Sequence, residues 1–266
     1  MDLIQIIVLA IVQGITEFLP VSSSAHLILV PMLTAWQDQG LAIDVAAHLG
    51  SLFAVVFYFR TDVCRLGQAG LHSCKARGIH SSDERLFWIL AIATLPVLMI
   101  GLLAHDLVAL YLRHPLIIAT ASIGFGLLLL YADKRGRTTL DTAQLHWKHA
   151  IFIGLAQALA LVPGTSRSGI TMTAGLLLGL DRKTSARLSF LLAIPVIFCA
   201  GGYELVKLLQ GDIGLDIVNF LLTAVLSALS ALLAIHYFLR FLDRIGMLPF
   251  VIYRVLLGVV LIVLFI

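Results

Sequence analysis

The chain has 266 residues, of which 60% are hydrophobic and 12% charged, with a mean hydropathy of +1.03 and a net charge of +3. Soluble domains average about 45–50% apolar and about 25% charged residues, so this composition excludes an ordinary soluble domain. The apolar runs are continuous and do not alternate, which excludes a transmembrane β-barrel, and the net charge is too small to point to nucleic acid. What remains is an all-α integral membrane protein. Cys64, Cys74 and Cys199 form no CxxC pair and are odd in number, so neither a disulfide framework nor a zinc site is expected. The opening "MDLIQ" carries no basic n-region and reads as mature sequence, not as a cleaved signal peptide.

In chain order the first apolar stretch, 3–33, is interrupted by "PVSSSAH". Spans follow at about 41–60, 86–104 and 115–131. A second interrupted stretch, 147–179, contains "PGTSRSG", and three more spans follow at about 186–205, 217–239 and 248–266. A helix needs about 20 apolar residues to cross the hydrocarbon core, which these six meet. The two interrupted stretches break at a proline followed by small polar residues, the pattern of a re-entrant hairpin. Such backbone is tolerated at depth only when protein or a water-filled cavity surrounds it.

Lysine and arginine placement tests this scheme. Loops 60–85, 132–148, 179–187 and 240–247 hold fourteen of the eighteen, whereas the alternate connections hold only Arg113 and Lys207. All four rich loops are cytoplasmic under the positive-inside rule only if both interrupted stretches return to the side they came from. The first hairpin then dips in from outside and the second from the cytoplasm. Each half, 1–131 and 147–266, is a hairpin plus three spans within a single membrane domain, and the odd span number inverts one half relative to the other. The breaks "LPVSSSAH" and "VPGTSRSG" align on Pro20 and Pro163. A second local similarity, "ATLPVLMIG" with "LAIPVIFCAG", has a different offset and reads as two proline-containing helices.

The breaks gather the polar groups. Glu17 is an ionisable residue inside an apolar segment, a functional candidate unless a neighbouring helix merely satisfies it. Gln13 precedes it by four residues on the same helix face. One of Ser22, Ser23 and Ser24 suffices to cap the following half-helix, so at least one is left for hydrogen bonding or nucleophilic attack. His26 is a candidate proton carrier, or a histidine bonded to backbone in a helix contact. Arg167 needs a partner at depth: Glu17 as a plain ion pair, or a phosphate held bidentately. Thr165, Ser166, Ser168 and Gly169 complete a second anion nest at a helix N-terminus. The sum is a phosphoryl-handling constellation with no Walker A motif, in which Glu17 holds a divalent cation or orients His26. Asp44 and His48, four apart, line the same cavity or make helix contacts, and Arg254 is expected to snorkel to the interface. His72, His80, His105, His114, His146 and His149 are assigned nothing.

On "QGITEFLPVSSSAH", "PGTSRSG", "HLGSLFAVV" and the closing "PFVIYR", the chain resembles the undecaprenyl-diphosphate phosphatase, or bacitracin-resistance, family over its whole length. The resemblance implies a bacterial cytoplasmic-membrane enzyme that releases the terminal phosphate of undecaprenyl diphosphate, an isoprenoid lipid carrier recycled for cell-wall synthesis. It also implies an inverted-repeat fold, a homodimer, a site opening to the outer face and a divalent cation, Mg2+ or Ca2+. The family's (Glu/Gln)-x-x-x-Glu motif falls on Gln13 and Glu17, its serine pair on Ser22 and Ser23, its histidine on His26, and its arginine on Arg167 between Ser166 and Ser168. Gln13 stands where many members have Glu, which places metal binding more heavily on Glu17; Ala25 replaces a Gly. Attack by Ser23, by His26 or by water remains open on the sequence. The rival class is a lipid-phosphate transporter or flippase, which shares broken helices at the midplane but needs no nucleophile.

Overall fold

A computed structural model describes residues 2–34, 36, 39–135, 140–210 and 216–265, with backbone alone for 105–110. Arg137 and the side chain of His105 thus lie outside the described residues. Among those described, all regular structure is helical. The elements are α1 (Leu3–Phe18), α2 (Ser23–Thr34), α3 (Gly40–Tyr58), α4 (Arg60–Ala76), α5 (Ser82–Tyr111), α6 (Pro115–Arg135), α7 (Trp147–Ala158), α8 (Arg167–Leu178), α9 (Arg182–Gln210), α10 (Ile217–Ile245) and α11 (Leu248–Phe265). Short 3₁₀ turns stand at Thr142–Gln144 and Leu159–Leu161.

Among the described residues, six helices are long and apolar enough to cross a membrane: α3, the Ser82–Ala104 part of α5, α6, α9, α10 and α11. They fall on the six predicted spans. The helices of the interrupted stretches are shorter. At 1.5 Å per residue, α1 is about 24 Å long and α2, α7 and α8 about 18 Å each, short of a hydrocarbon core about 30 Å thick. α1 stops where it does because Pro20 excludes helical geometry at the residue before it, and Leu19 is extended (φ −73°, ψ 147°).

The 60–85 segment, expected as a loop, carries α4. This helix is too polar for a span, but it sets Leu66, Gly70 and Ser73 inward and its basic residues outward, the pattern of a helix lying along an interface. All four basic loops meet at one end of the bundle. Arg182 forks onto Asp133 at the end of α6 (2.5 and 2.9 Å), Arg187 reaches Asp62 at the start of α4 (2.6 Å), and Lys183 pairs with Asp243 near the end of α10 (2.5 Å). The Leu140 N–H donates to the Gly179 carbonyl (3.1 Å), so the chain just before α7 and just after α8 come together.

Small residues let the helices close. A Cβ on Gly14 of α1 would sit 2.0 Å from Ser230 Oγ of α10, and one on Gly50 of α3 would sit 2.1 Å from the Ala224 carbonyl oxygen. Close approach of this kind is the main packing device where lipid removes the hydrophobic drive between helices. Between α1, α9, α3 and α10 lies an aromatic cluster, with Phe18 edge-on to Phe190 (5.3 Å) and Phe59 and Phe238 beside it. It forms the floor beneath the two breaks.

Candidate active site

Leu19–Ser22 joins α1 to α2, and Val162–Ser166 joins the 3₁₀ turn after α7 to α8. Each break ends on a serine with positive φ, Ser22 at +75° and Ser166 at +69°. Positive φ is uncommon outside glycine, costs of order 1–3 kcal/mol and persists only where neighbours enforce it. Each of these serines also pairs hydroxyls two residues on, Ser22 with Ser24 (3.3 Å) and Ser166 with Ser168 (3.1 Å). The structural match is therefore Ser22 with Ser166 and Ser23 with Arg167. This is one residue off the alignment on the prolines, because Gly164 (φ +93°) adds a residue to the second break.

The breaks touch each other: Ser168 Oγ donates to the Leu19 carbonyl at 2.8 Å. Above this contact Glu17 and Arg167 form a largely buried ion pair, Nη2 to Oε1 2.9 Å, with side chains 7% and 12% exposed. The other Glu17 oxygen accepts from Ser23 Oγ (2.7 Å) and Gln13 Nε2 (2.9 Å). Arg167 Nη1 donates to the Ser189 carbonyl (3.0 Å), and the guanidinium lies over the Phe18 ring. Both buried charges are thus paired and hydrogen-bonded, as burial demands. A cavity of about 430 Å³ opens on this group, with Ser22, Ser23, Ser24, Ser166, Arg167 and Glu17 on one side. Its other wall is apolar, with Val97 and Val196 directly after Pro96 of α5 and Pro195 of α9. The two proline-containing helices thus contribute equivalent steps to one wall.

Thr165 and Ser168 are buried beside the cavity without lining it. Ser166 Oγ accepts from the Gly169 N–H (3.1 Å) and so caps α8. His26 also stays out of the lining. Its Nδ1–H donates to the Ser22 carbonyl (2.7 Å), its Nε2 meets the Tyr253 hydroxyl (2.5 Å), and the two rings stack within 9° of parallel. The imidazole that does face the cavity is His48, with Nε2 3.9 Å from Glu17 Oε2 and Nδ1 on the Asp44 carbonyl. Asp44 and Glu204 line the cavity as well. Residues 44 and 48 carry a sequence signal only in their spacing.

Arg254 does not snorkel. It is fully buried and donates to the carbonyls of Ser122, Gly164 and Thr165 (2.9–3.1 Å), pinning α6 and α11 to the second break. Its Nη1 and the Thr165 hydroxyl have no partner among the described residues. A Cβ on Gly169 would come within 2.9 Å of that Nη1, which is why glycine stands there.

The helices, six of them apolar enough among the described residues to cross a membrane, thus bring a buried carboxylate, a hydroxyl and a guanidinium together at the two breaks, the make-up of a membrane-embedded polar site. The family model described as "Bacitracin resistance protein BacA" matches residues 6–260, and the chain belongs to that family. Undecaprenyl-diphosphatase 2 of Stutzerimonas stutzeri is 57% identical over all of this chain and 99% of its own length. Undecaprenyl-diphosphatase 1 of Pseudoalteromonas translucida is 54% identical, covering 99% of this chain and 98% of its own, and undecaprenyl-diphosphatase of Nitrosococcus oceani is 54% identical over the full length of both.

Proposed function

We infer that the chain is an undecaprenyl-diphosphate phosphatase, a membrane hydrolase that releases inorganic phosphate and regenerates undecaprenyl phosphate, with bacitracin resistance as a consequence. The observation that carries the chemical reading is the Ser23–Glu17–Arg167 chain of hydrogen bonds on the cavity floor. Ser23 Oγ attacks the terminal phosphorus while its proton passes to Glu17, 2.7 Å away. The bridging P–O bond breaks and undecaprenyl phosphate leaves, its departing oxygen taking that proton from Glu17, which returns to the carboxylate. Water then cleaves the phosphoserine, with Glu17 taking a proton from the water and the serine oxygen recovering one. Arg167 neutralises charge growing on the phosphoryl oxygens, the dominant need in phosphoryl transfer. The two bonds above engage two of its five N–H groups. His26 is a positioning residue: its ring, set by the Tyr253 hydroxyl at Nε2, holds the Ser22 carbonyl through Nδ1–H. Ser22, Ser24, Ser166 and the start of α8 receive the remaining phosphate oxygens.

Among the described residues no group of three or more His, Cys, Asp and Glu forms a protein-built metal site. Glu17 would hold a cation together with diphosphate oxygens, the usual manner for Mg2+, only by giving up one of the bonds it makes to Arg167, Ser23 or Gln13. Bound there, Mg2+ or Ca2+ would supply charge neutralisation.

The finer architecture is part of the same reading. α1–α2 and α7–α8 are re-entrant hairpins, and the halves are an inverted repeat in which α3, α5 and α6 correspond to α9, α10 and α11, with α4 an insertion. Supporting this, α1 packs on α10 as α7 packs on α5, and the two breaks share their strained serines. The site opens to the outer face of the bacterial cytoplasmic membrane, and the protein acts as a homodimer.

Phosphate release from lipid diphosphate by detergent-purified protein, with and without chelator, tests hydrolysis. Rapid acid quench followed by peptide mapping tests the nucleophile, with phosphate on Ser23 expected. Turnover with no covalent species at any quench time would transfer the attack to water.

A further inference from the structure

A second cavity, of about 720 Å³, opens beside the first, between α2, α3 and the turn that precedes α6. The two share Ser24, Leu41, Asp44 and His48 in their linings, so these four side chains form the neck of wall that stands between them. Beyond the neck the wall carries Gln39 and Arg113. Arg113 is exposed, and in the sequence it is one of only two cations in the outer connections. The first cavity also has a largely apolar wall, Val97, Leu161, Val196 and Ile197, with Glu204 further along the same face of α9.

Hydrolysis of a lipid diphosphate makes two products of opposite character. A polyprenyl phosphate keeps its tail in lipid, whereas inorganic phosphate is stable only in water. An apolar wall offers free phosphate no hydrogen bonds. We propose that the adjoining cavities separate the products: inorganic phosphate leaves the Glu17–Arg167 floor through the neck at Ser24 and His48 toward Arg113, and the lipid product leaves along the apolar wall. The inference rests on hydrolysis at the Ser23–Glu17–Arg167 group.

The neck's chemistry suits transit. Ser24 and His48 present hydrogen-bonding groups, and the Arg113 guanidinium is a phosphate fork at the outer end. Asp44 carries the opposite sign to Arg113 and is held in place by Gln39 Nε2 at 2.8 Å. A carboxylate there prevents phosphate from lodging. Passage requires binding firm enough to draw the ion in and weak enough to release it, as in ion-conducting pores.

The experiment is product inhibition by added inorganic phosphate, read beside KM for undecaprenyl diphosphate. Arg113→Ala is expected to raise the phosphate Ki about threefold, the size of a partly exposed charge contact, with KM within about twofold. Asp44→Asn, which keeps the acceptor for Gln39, is expected to lower Ki by about the same factor. Unchanged Ki in both variants overturns the exit. A raised KM with Ki unmoved in Arg113→Ala also overturns it, by making Arg113 a docking group for the lipid headgroup. No phosphate release from the unaltered protein would instead defeat the hydrolysis reading itself.

Discussion

At the scale of single residues, the site turns on how one guanidinium is shared. Arg167 joins the Glu17 carboxylate to the Ser189 carbonyl and still faces the cavity. A lysine ammonium keeps the charge but has no planar fork to do both. Arg167→Lys is expected to lower kcat/KM about 100-fold, the scale of losing one preorganised donor to a developing charge. Elution from size exclusion should stay that of the unaltered protein. Turnover close to normal would reduce Arg167 to an ion-pair partner of Glu17. Glu17, Ser23 and Arg167 were legible in the sequence because polar groups at membrane depth have few structural excuses. The direction of His26 was not, because Tyr253, 227 residues away, sets it. His48 was visible only as a spacing, since nothing local says which face of α3 meets Glu17.

At the scale of elements, prolines and caps decide where helices begin and end. Pro20 was a readable stop for α1, and "PGTSRSG" a readable start for α8. The one-residue shift between the breaks was not readable, because it lies in backbone dihedrals at Ser22 and Ser166. α4 was hidden by its polar composition, which marks it as a non-span without saying that it is helical. The start of α9 makes a testable case of capping. Asp181 accepts from the Thr184 N–H (2.8 Å) and hydroxyl (2.6 Å). Partial burial pushes its carboxyl up, but these hydrogen bonds outweigh that and hold it below the usual range. With the folded value depressed, the cap is fully stabilising above the unfolded carboxylate value of about 3.9. It is lost as pH falls through the folded value. Protection of the first-turn amides of α9, their exchange relative to the free-chain rate at the same pH, should therefore fall on acidification below about pH 4. In Asp181→Asn, which caps without titrating, that loss of protection should disappear; an equal loss in both proteins would locate the acid sensitivity elsewhere.

At the scale of the whole molecule, charge placement gave the layout: four basic loops on one side, and in the folded chain their residues cross-link at one end through Asp133, Asp62 and Asp243. What the sequence withheld was which helices touch, because Gly14 and Gly50 look like any other glycine until α10 is laid against them. The three cysteines can report the orientation, since all are exposed, two on α4 and one on α9. A membrane-impermeant maleimide should label Cys64 and Cys74 in inverted vesicles and not in intact cells. Cys199, within the apolar length of α9, should resist labelling from either side. Labelling of Cys64 and Cys74 in intact cells would reverse the whole topology.

The pairing of Glu17 with Arg167 spans 150 positions of the chain. A ribosome delivers the first partner long before the second, with three of the spanning helices made in between. During that interval the carboxylate has no guanidinium and the first break has no Ser168 hydroxyl for its Leu19 carbonyl. If hydrolysis runs on the proposed Ser23–Glu17–Arg167 group, a nascent first half cannot consume the lipid carrier, competence arrives late in synthesis, and a truncated product released early is chemically silent.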